Sequence, residues 1–144
     1  MDLGTTGAIL TFALELENDI GAFYSRNLPE VSNANLKQAF GEIQRIQRKR
    51  ERLLSRMRRE NVTEMILEPI HGFESDAFEI AISSEVFHND SLLKASAIEI
   101  EETLKSFFAK ASEKTAFLPE VSDEFKTISK DAGKHVALLL SIDT

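Results

Sequence analysis

Apolar residues recur every three or four positions along most of the chain, which is the spacing of amphipathic helices. Residues 6–28 form one such stretch and residues 33–61 form a second. Pro29 lies between them, where a helix is expected to stop. The pattern therefore predicts a helical hairpin over residues 6–61.

The second half of the chain shows the same spacing after a long connection. Residues 62–90 contain Pro69 and Gly72, and within this crossover segment a short amphipathic helix is predicted over 77–88. Two further helices are predicted, the third from about 91 to 114 and the fourth over 122–142. No stretch has the strict alternation expected of a strand, so the predicted fold class is all-α.

The two halves of the sequence resemble each other. The segment ALELENDI at 13–20 resembles AIEIEETL at 97–104, which begins 84 positions later. The apolar pattern of residues 36–57 returns in residues 121–142, at an offset of 85. Two helical hairpins, 6–61 and 91–142, joined by a crossover predict a single domain spanning residues 1–144. Its expected architecture is an antiparallel four-helix bundle with approximate internal twofold symmetry.

Composition excludes several kinds of chemistry. The chain has 144 residues and no cysteine, which rules out cysteine-ligated zinc, iron–sulfur clusters and a cysteine nucleophile. No apolar run is long enough to span a bilayer, and the first residues lack the basic stretch of a secretory signal. We therefore expect a cytoplasmic protein with no membrane partner.

Positive charge is concentrated in residues 45–59, here called the Arg-rich segment. It holds seven of the eight arginines and carries about +7, although the whole chain has a net charge of −7. Three interpretations stay open: a solvated helix face balanced by acids on neighbouring helices, a homodimer contact against an acidic surface, or a site for nucleic acid or another anion. The last is disfavoured because stacking aromatic residues are absent from the segment and the rest of the chain is acidic.

Two glutamates interrupt the apolar seams at matched positions of the two halves. Glu17 lies in line with apolar residues of the first helix, as Glu101 does in the third. A charge on an apolar seam is costly unless it is paired or binds a metal ion. The alternative is that each carboxylate lies at a helix edge and reaches water.

The second and fourth helices also differ from an apolar seam at two matched positions each. In the second helix these positions hold Gln47 and Arg50, and in the fourth they hold Ala132 and His135. The spacing of three residues places both members of a pair on one face of their helix.

This arrangement resembles the ferritin-like superfamily, and most closely its rubrerythrin type. The resemblance covers the four long helices and depends on three spacings: Glu17 seven residues before Tyr24, Glu101 seven before Phe108, and His135 ten after Phe125. It implies a di-iron centre in which the first and third helices each give one glutamate. The second and fourth helices would each add a Glu-x-x-His pair.

Only half of the implied ligand set is present in this chain. The matching residues are Glu17, Glu101 and His135, and the substituted positions hold Gln47, Arg50 and Ala132. The resemblance also implies that Tyr24 lies beside the ligands, although it equally fits a core tyrosine with a hydrogen-bonded hydroxyl. His71 and His88 match no ligand position and are expected at the surface.

The substitutions lead to three hypotheses about function. In the first, the Arg50 guanidinium replaces the metals by pairing with Glu17 and Glu101. The protein would then be a divergent member of the superfamily, a non-catalytic binding or structural module without a cofactor, and we expect it to be a homodimer. In the second, Glu17, Glu101 and His135 hold one iron or manganese ion for oxygen or peroxide chemistry. In the third, the Arg-rich segment binds an anion or nucleic acid. If Arg50 instead extends to solvent, the first hypothesis loses its basis.

Overall fold

The computed structural model describes residues 1–60, 68–80 and 86–144. The described residues confirm the all-α class, since apart from an isolated bridge between Asp2 and Glu74 they contain no β-structure. Four long helices account for most of them: α1 (Thr6–Asn27), α2 (Ala34–Glu60), α3 (Asp90–Lys114) and α4 (Pro119–Leu140).

The helix starts are set by local chemistry. Thr5 caps α1 by accepting a hydrogen bond from the Ala8 backbone, and Asn89 caps α3 in the same way through the Leu92 backbone. Helix α4 begins three residues earlier than the predicted residue 122. Pro119 occupies its first turn, where the missing proline N–H leaves no helical hydrogen bond unmade.

The predicted helix over residues 77–88 is wrong where the structure describes it. A short 3₁₀ helix covers Ser75–Phe78, and residues 79–80 and 86–88 are not helical; residues 81–85 lie outside the described residues. The backbone N–H of Phe87 donates to the Asn27 side chain at 3.1 Å, so a tertiary contact replaces a helical hydrogen bond. Among the described residues of this range, Ile80 and Phe87 pack against the core although neither lies in a helix.

The helices pack as two hairpins, α1 with α2 and α3 with α4, and α2 also contacts α4. One apolar core joins all four helices with Leu3, Ile70 and Phe73. The first residues run beside residues 70–75 of the crossover segment: the Leu3 N–H donates to the Phe73 carbonyl at 2.8 Å, and the Ile70 N–H donates to the Gly4 carbonyl at 2.8 Å. None of the described helices is both long and apolar enough to cross a membrane.

Candidate functional site

A buried ion pair joins the first hairpin at its centre. The Arg50 side chain is 4% exposed, and its Nε lies 2.6 Å from Oε1 of Glu17, whose side chain is 0% exposed. The Nη2 group of Arg50 donates to Glu17 Oε2 at 3.1 Å. The guanidinium therefore engages both carboxylate oxygens, the geometry in which arginine binds a carboxylate most favourably.

Gln47 completes the hydrogen bonding of Glu17. Its Nε2 lies 3.1 Å from Glu17 Oε2 and 2.9 Å from the Glu17 carbonyl oxygen, and it also contacts Glu51 Oε2 at 3.1 Å. Gly21 makes room for this amide, because a Cβ at that position would lie 3.0 Å from Gln47 Oε1. Gln47 occupies one of the two α2 positions that the resemblance treats as substituted, and its amide donates a hydrogen bond to the Glu17 carboxylate.

The second hairpin places its own pair in the equivalent arrangement. Glu101 on α3 is fully buried, and its Oε2 lies 3.5 Å from Nδ1 of His135 on α4. Tyr24 crosses from the first hairpin and donates its hydroxyl to Glu101 Oε1 at 3.1 Å. The residues at equivalent positions of the internal repeat therefore face each other within each hairpin.

Three buried polar atoms of this cluster have no hydrogen-bond partner among the described residues. They are Nη1 of Arg50, Oε2 of Glu101 and Nδ1 of His135. The 3.5 Å separation of the last two exceeds the usual length of a hydrogen bond. Unpartnered buried polar groups are uncommon in proteins, and three in one cluster make it the candidate site.

Burial and nearby charges both shift the pKa values of the cluster, in opposite directions at Glu17 and Arg50 and in the same direction at Tyr24. Burial raises the pKa of Glu17, and the Arg50 charge offsets part of this increase. Burial alone would lower the pKa of Arg50, but the charges of Glu17 and Glu101 outweigh it and raise the pKa. Burial, reinforced by Glu101, raises the pKa of Tyr24 well above its ordinary value. Arg50 therefore remains a cation, and Tyr24 remains neutral, over the physiological range.

The structure bears on the first hypothesis at Arg50. Its side chain is buried and does not extend to solvent, but it hydrogen-bonds Glu17 and not Glu101, whose contacts are Tyr24 and His135. Within the described residues, no three His, Asp or Glu side chains converge on a position that suits a metal ion. Ala132 is buried one turn before His135, so the substituted position faces inward but offers no donor atom.

The remaining candidates lie at the surface. His71 and His88 are exposed, and His88 Nδ1 contacts Glu30 Oε2 at 2.8 Å. Arg50 is the one buried cation of the Arg-rich segment, because its other basic residues are exposed: Arg45, Arg48, Lys49, Arg52, Arg56, Arg58 and Arg59. Arg50 and the exposed basic residues therefore lie on different faces of α2.

A groove between α2 and α4 was not predicted from the sequence. Its volume is about 450 Å³, and both Arg50 and His135 line it. The sequence feature that could have predicted the groove is the pair Ile46 and Leu53. Both are half-buried, and they widen the apolar face of α2 beyond the seam that contacts α1. This excess apolar width indicates a second surface that the hairpin itself does not cover.

Comparison of the chain with protein-family models, with curated proteins and with solved structures found no match.

The chemistry available at the centre follows from its donors and acceptors. Glu17 is fully engaged by Arg50 and Gln47, whereas Glu101, His135 and one arm of Arg50 retain unused hydrogen-bonding capacity. The cluster is suited to holding charge and polar groups in place within an apolar interior.

Proposed function

We propose that the chain is a divergent ferritin-like protein of the rubrerythrin type that acts as a non-catalytic binding or structural module. The supporting observation is the 2.6 Å contact between Arg50 Nε and Glu17 Oε1 in the core. In this proposal the guanidinium occupies the electrostatic place that two metal ions hold in the superfamily. Glu17, Glu101 and His135 would be remnants of the ligand set.

Arg50 opposes metal binding in two ways. Its permanent positive charge repels a cation, and its hydrogen bonds occupy both oxygens of Glu17. Gln47 and Ala132 each remove a carboxylate that the di-iron arrangement requires. Oxygen chemistry of the usual kind would therefore lack its metal ligands.

A second candidate function is a mononuclear iron or manganese oxidoreductase. The observation that favours it is the pair of unpartnered atoms, Glu101 Oε2 and His135 Nδ1, which face each other at 3.5 Å. A metal ion bound there would need Glu17 as its third ligand, and Glu17 would have to release Arg50. The breaking of that ion pair makes this candidate weaker.

Metal analysis distinguishes the two candidates. We would produce the protein with iron or manganese supplied, and measure bound metal for the parent, His135→Ala and the surface control His88→Ala. The proposal predicts little metal in all three proteins. One metal ion per chain in the parent and in His88→Ala, lost in His135→Ala, would overturn it in favour of the oxidoreductase.

We also propose that the exposed side of the Arg-rich segment contacts an acidic surface of a second copy. Among the described residues, the exposed cations of this segment have one ion pair within the chain, a 3.9 Å contact between Arg56 and Glu60. The acidic remainder of the molecule supplies a complementary surface. Sedimentation should show a dimer at low salt that dissociates at high salt, and a salt-independent monomer would contradict this.

A further inference from the structure

The groove between α2 and α4 exposes apolar side chains on one side of the molecule. Its apolar walls consist of aliphatic residues: Ile43, Ile46, Leu53, Ile128 and Leu138. Leu138 is 37% exposed, and Ile46 and Leu53 are half-buried. An apolar face bordered by charged residues is a common form of protein contact surface.

The α2 border of the groove is basic. Four exposed cations recur along it at spacings of four, three and four residues, and so lie on one face of the helix: Arg45, Lys49, Arg52 and Arg56. Lys49 lines the groove itself, and Arg56 lines the cavity that continues it. This basic stripe therefore runs beside the groove, and Glu42 and Glu60 lie near its two ends.

The α4 border is acidic. Helix α4 contributes four acids and one lysine to the lining of the groove and of the cavity near Arg56: Glu120, Asp123, Glu124, Asp131 and Lys134. Three of these acids, Glu120, Asp123 and Glu124, lie in the first two turns of the helix. Within the part of the chain that the structure describes, no cation forms an ion pair with these three acids. Each chain thus has a basic and an acidic border on either side of one apolar groove.

The two borders are aligned along the groove. Leu53 and Glu124 line both the groove and the cavity near Arg56, whereas Glu42 and Leu138 line both the groove and the cavity at the opposite end. Helices α2 and α4 are therefore antiparallel, and the second half of α2 lies level with the first turns of α4. The basic stripe and the three acids overlap in height.

A second copy could cover the groove about either of two twofold axes, since most homodimers are symmetric. An axis across the helices would place α2 on α2 and set the basic stripe against itself. An axis parallel to the helices would place α2 of each copy on α4 of the other at the same height, so that Arg52 and Arg56 face acids. Like charges in contact are costly, so the charges favour the parallel axis.

We propose that two copies of this chain associate across the groove about an axis parallel to the helices. The basic stripe of each copy contacts the acidic first turns of α4 in the other. Ile46, Leu53 and Leu138 form the apolar centre of the contact, and the charged borders form its rim. This inference rests on the proposed dimer contact of the Arg-rich segment and specifies the acidic surface that the segment meets.

Reversing the charge of one border at a time tests this arrangement, with sedimentation at low salt as the measurement. One variant combines Arg52→Glu with Arg56→Glu on α2. The other combines Glu120→Lys with Glu124→Lys on α4. Each variant alone should raise the dimer dissociation constant at least about tenfold, because like charges then meet. An equimolar mixture should form heterodimers with about the parental affinity, because each reversed border meets its complement in the other variant.

A matched control reverses two exposed acids of α3 outside the groove. Glu99→Lys with Glu102→Lys changes the net charge as much as the α4 variant does and should leave the dissociation constant unchanged. A dimeric parent whose affinity the α4 variant does not weaken, or a mixture that forms no heterodimer, would overturn this inference alone. A monomeric parent would overturn the proposed dimer contact as well. The proposed role as a non-catalytic module is tested separately by metal content.

Discussion

Arg50 neutralises a carboxylate that has no access to water. Glu17 is 0% exposed, so its charge depends on the guanidinium and on the Gln47 amide for stabilisation. A buried ion pair contributes little net stability compared with a well-packed apolar pair, but breaking one is costly because it strands the other charge. The importance of Arg50 is therefore best measured by removing it alone.

Replacing Arg50 with alanine should lower the free energy of unfolding by about 3–5 kcal/mol, because Glu17 is left buried and unpaired. Urea unfolding measures this change. Arg52→Ala, at an exposed position of the same helix, is the control and should change stability by less than about 0.5 kcal/mol. The double variant Glu17→Leu with Arg50→Met should recover most of the loss, and equal midpoints for Arg50→Ala and the parent would contradict the account.

Tyr24 should ionise only when the protein unfolds. Its pKa is raised in the folded state, so the unfolded chain loses this proton first and stability falls as the pH rises above about 10. Tyr24 is the only tyrosine, so tyrosinate absorbance reports this site alone. We expect the absorbance change to coincide with the loss of helical circular dichroism. Ionisation near pH 10 in a protein that is still helical would show that Tyr24 is not buried as described.

The sequence predicted that these residues face inward but not how they pair. Helical periodicity places Glu17 and Arg50 on the seams, and it is sufficient for that purpose. It does not determine the distance between helices or the side-chain rotamers. The distance between helices and the rotamers determine that Arg50 pairs with Glu17, and that Glu101 contacts Tyr24 and His135 instead.

At the scale of the helices, α1 and α2 approach closely where Gly21 faces Gln47. A glycine inside a helix is normally less favourable than alanine, so its presence at a close approach indicates a steric requirement. Gly41 on α2 offers a direct comparison, because a Cβ there would meet no atom within 4 Å. The two glycines differ in surroundings but share a helical backbone.

Alanine should stabilise the protein at only one of these two positions. Gly41→Ala should stabilise the protein by about 0.5–1 kcal/mol through helix propensity alone. Gly21→Ala should show no such gain, since the new Cβ lies 3.0 Å from Gln47 Oε1 and displaces an amide that bonds Glu17. Thermal unfolding of both variants measures the difference. An equal gain at both positions would mean that Gln47 moves aside without cost.

Element boundaries were predictable where local chemistry controls them and not elsewhere. The long helices have enough turns for the apolar period to be unambiguous, and α1–α3 begin and end close to their predicted limits. The predicted helix over 77–88 would have few turns, and among its described residues Phe78, Ile80 and Phe87 contact the core without forming an α-helix. Asn27, distant in sequence, fixes Phe87 there by a hydrogen bond that no local pattern reveals.

At the scale of the whole molecule, the two hairpins present equivalent positions to a common interior. Glu17 meets Arg50 in the first, Glu101 meets His135 in the second, and the Tyr24 hydroxyl links the two pairs. The α2–α4 side is left as a groove, and Arg50 and His135 are among the residues that line it. The internal repeat was visible in the sequence, but the groove depends on how far apart the hairpins lie.

If the centre is a metal site converted by substitution, reversing the substitutions should restore it. The combined variant Gln47→Glu, Arg50→His and Ala132→Glu would return a carboxylate or imidazole to each substituted position. All three positions are buried and none needs a new backbone conformation. Metal binding should then also raise the unfolding temperature, since the ion binds only the folded chain.

Iron content per chain, measured side by side in the parent and in this combined variant, tests the central claim most directly. The account predicts about two iron ions per chain in the variant, as the di-iron ligand set requires, and no stoichiometric iron in the parent. Stoichiometric iron in the parent, or a folded variant that binds none, would contradict the claim that Arg50 stands in the place of the metals.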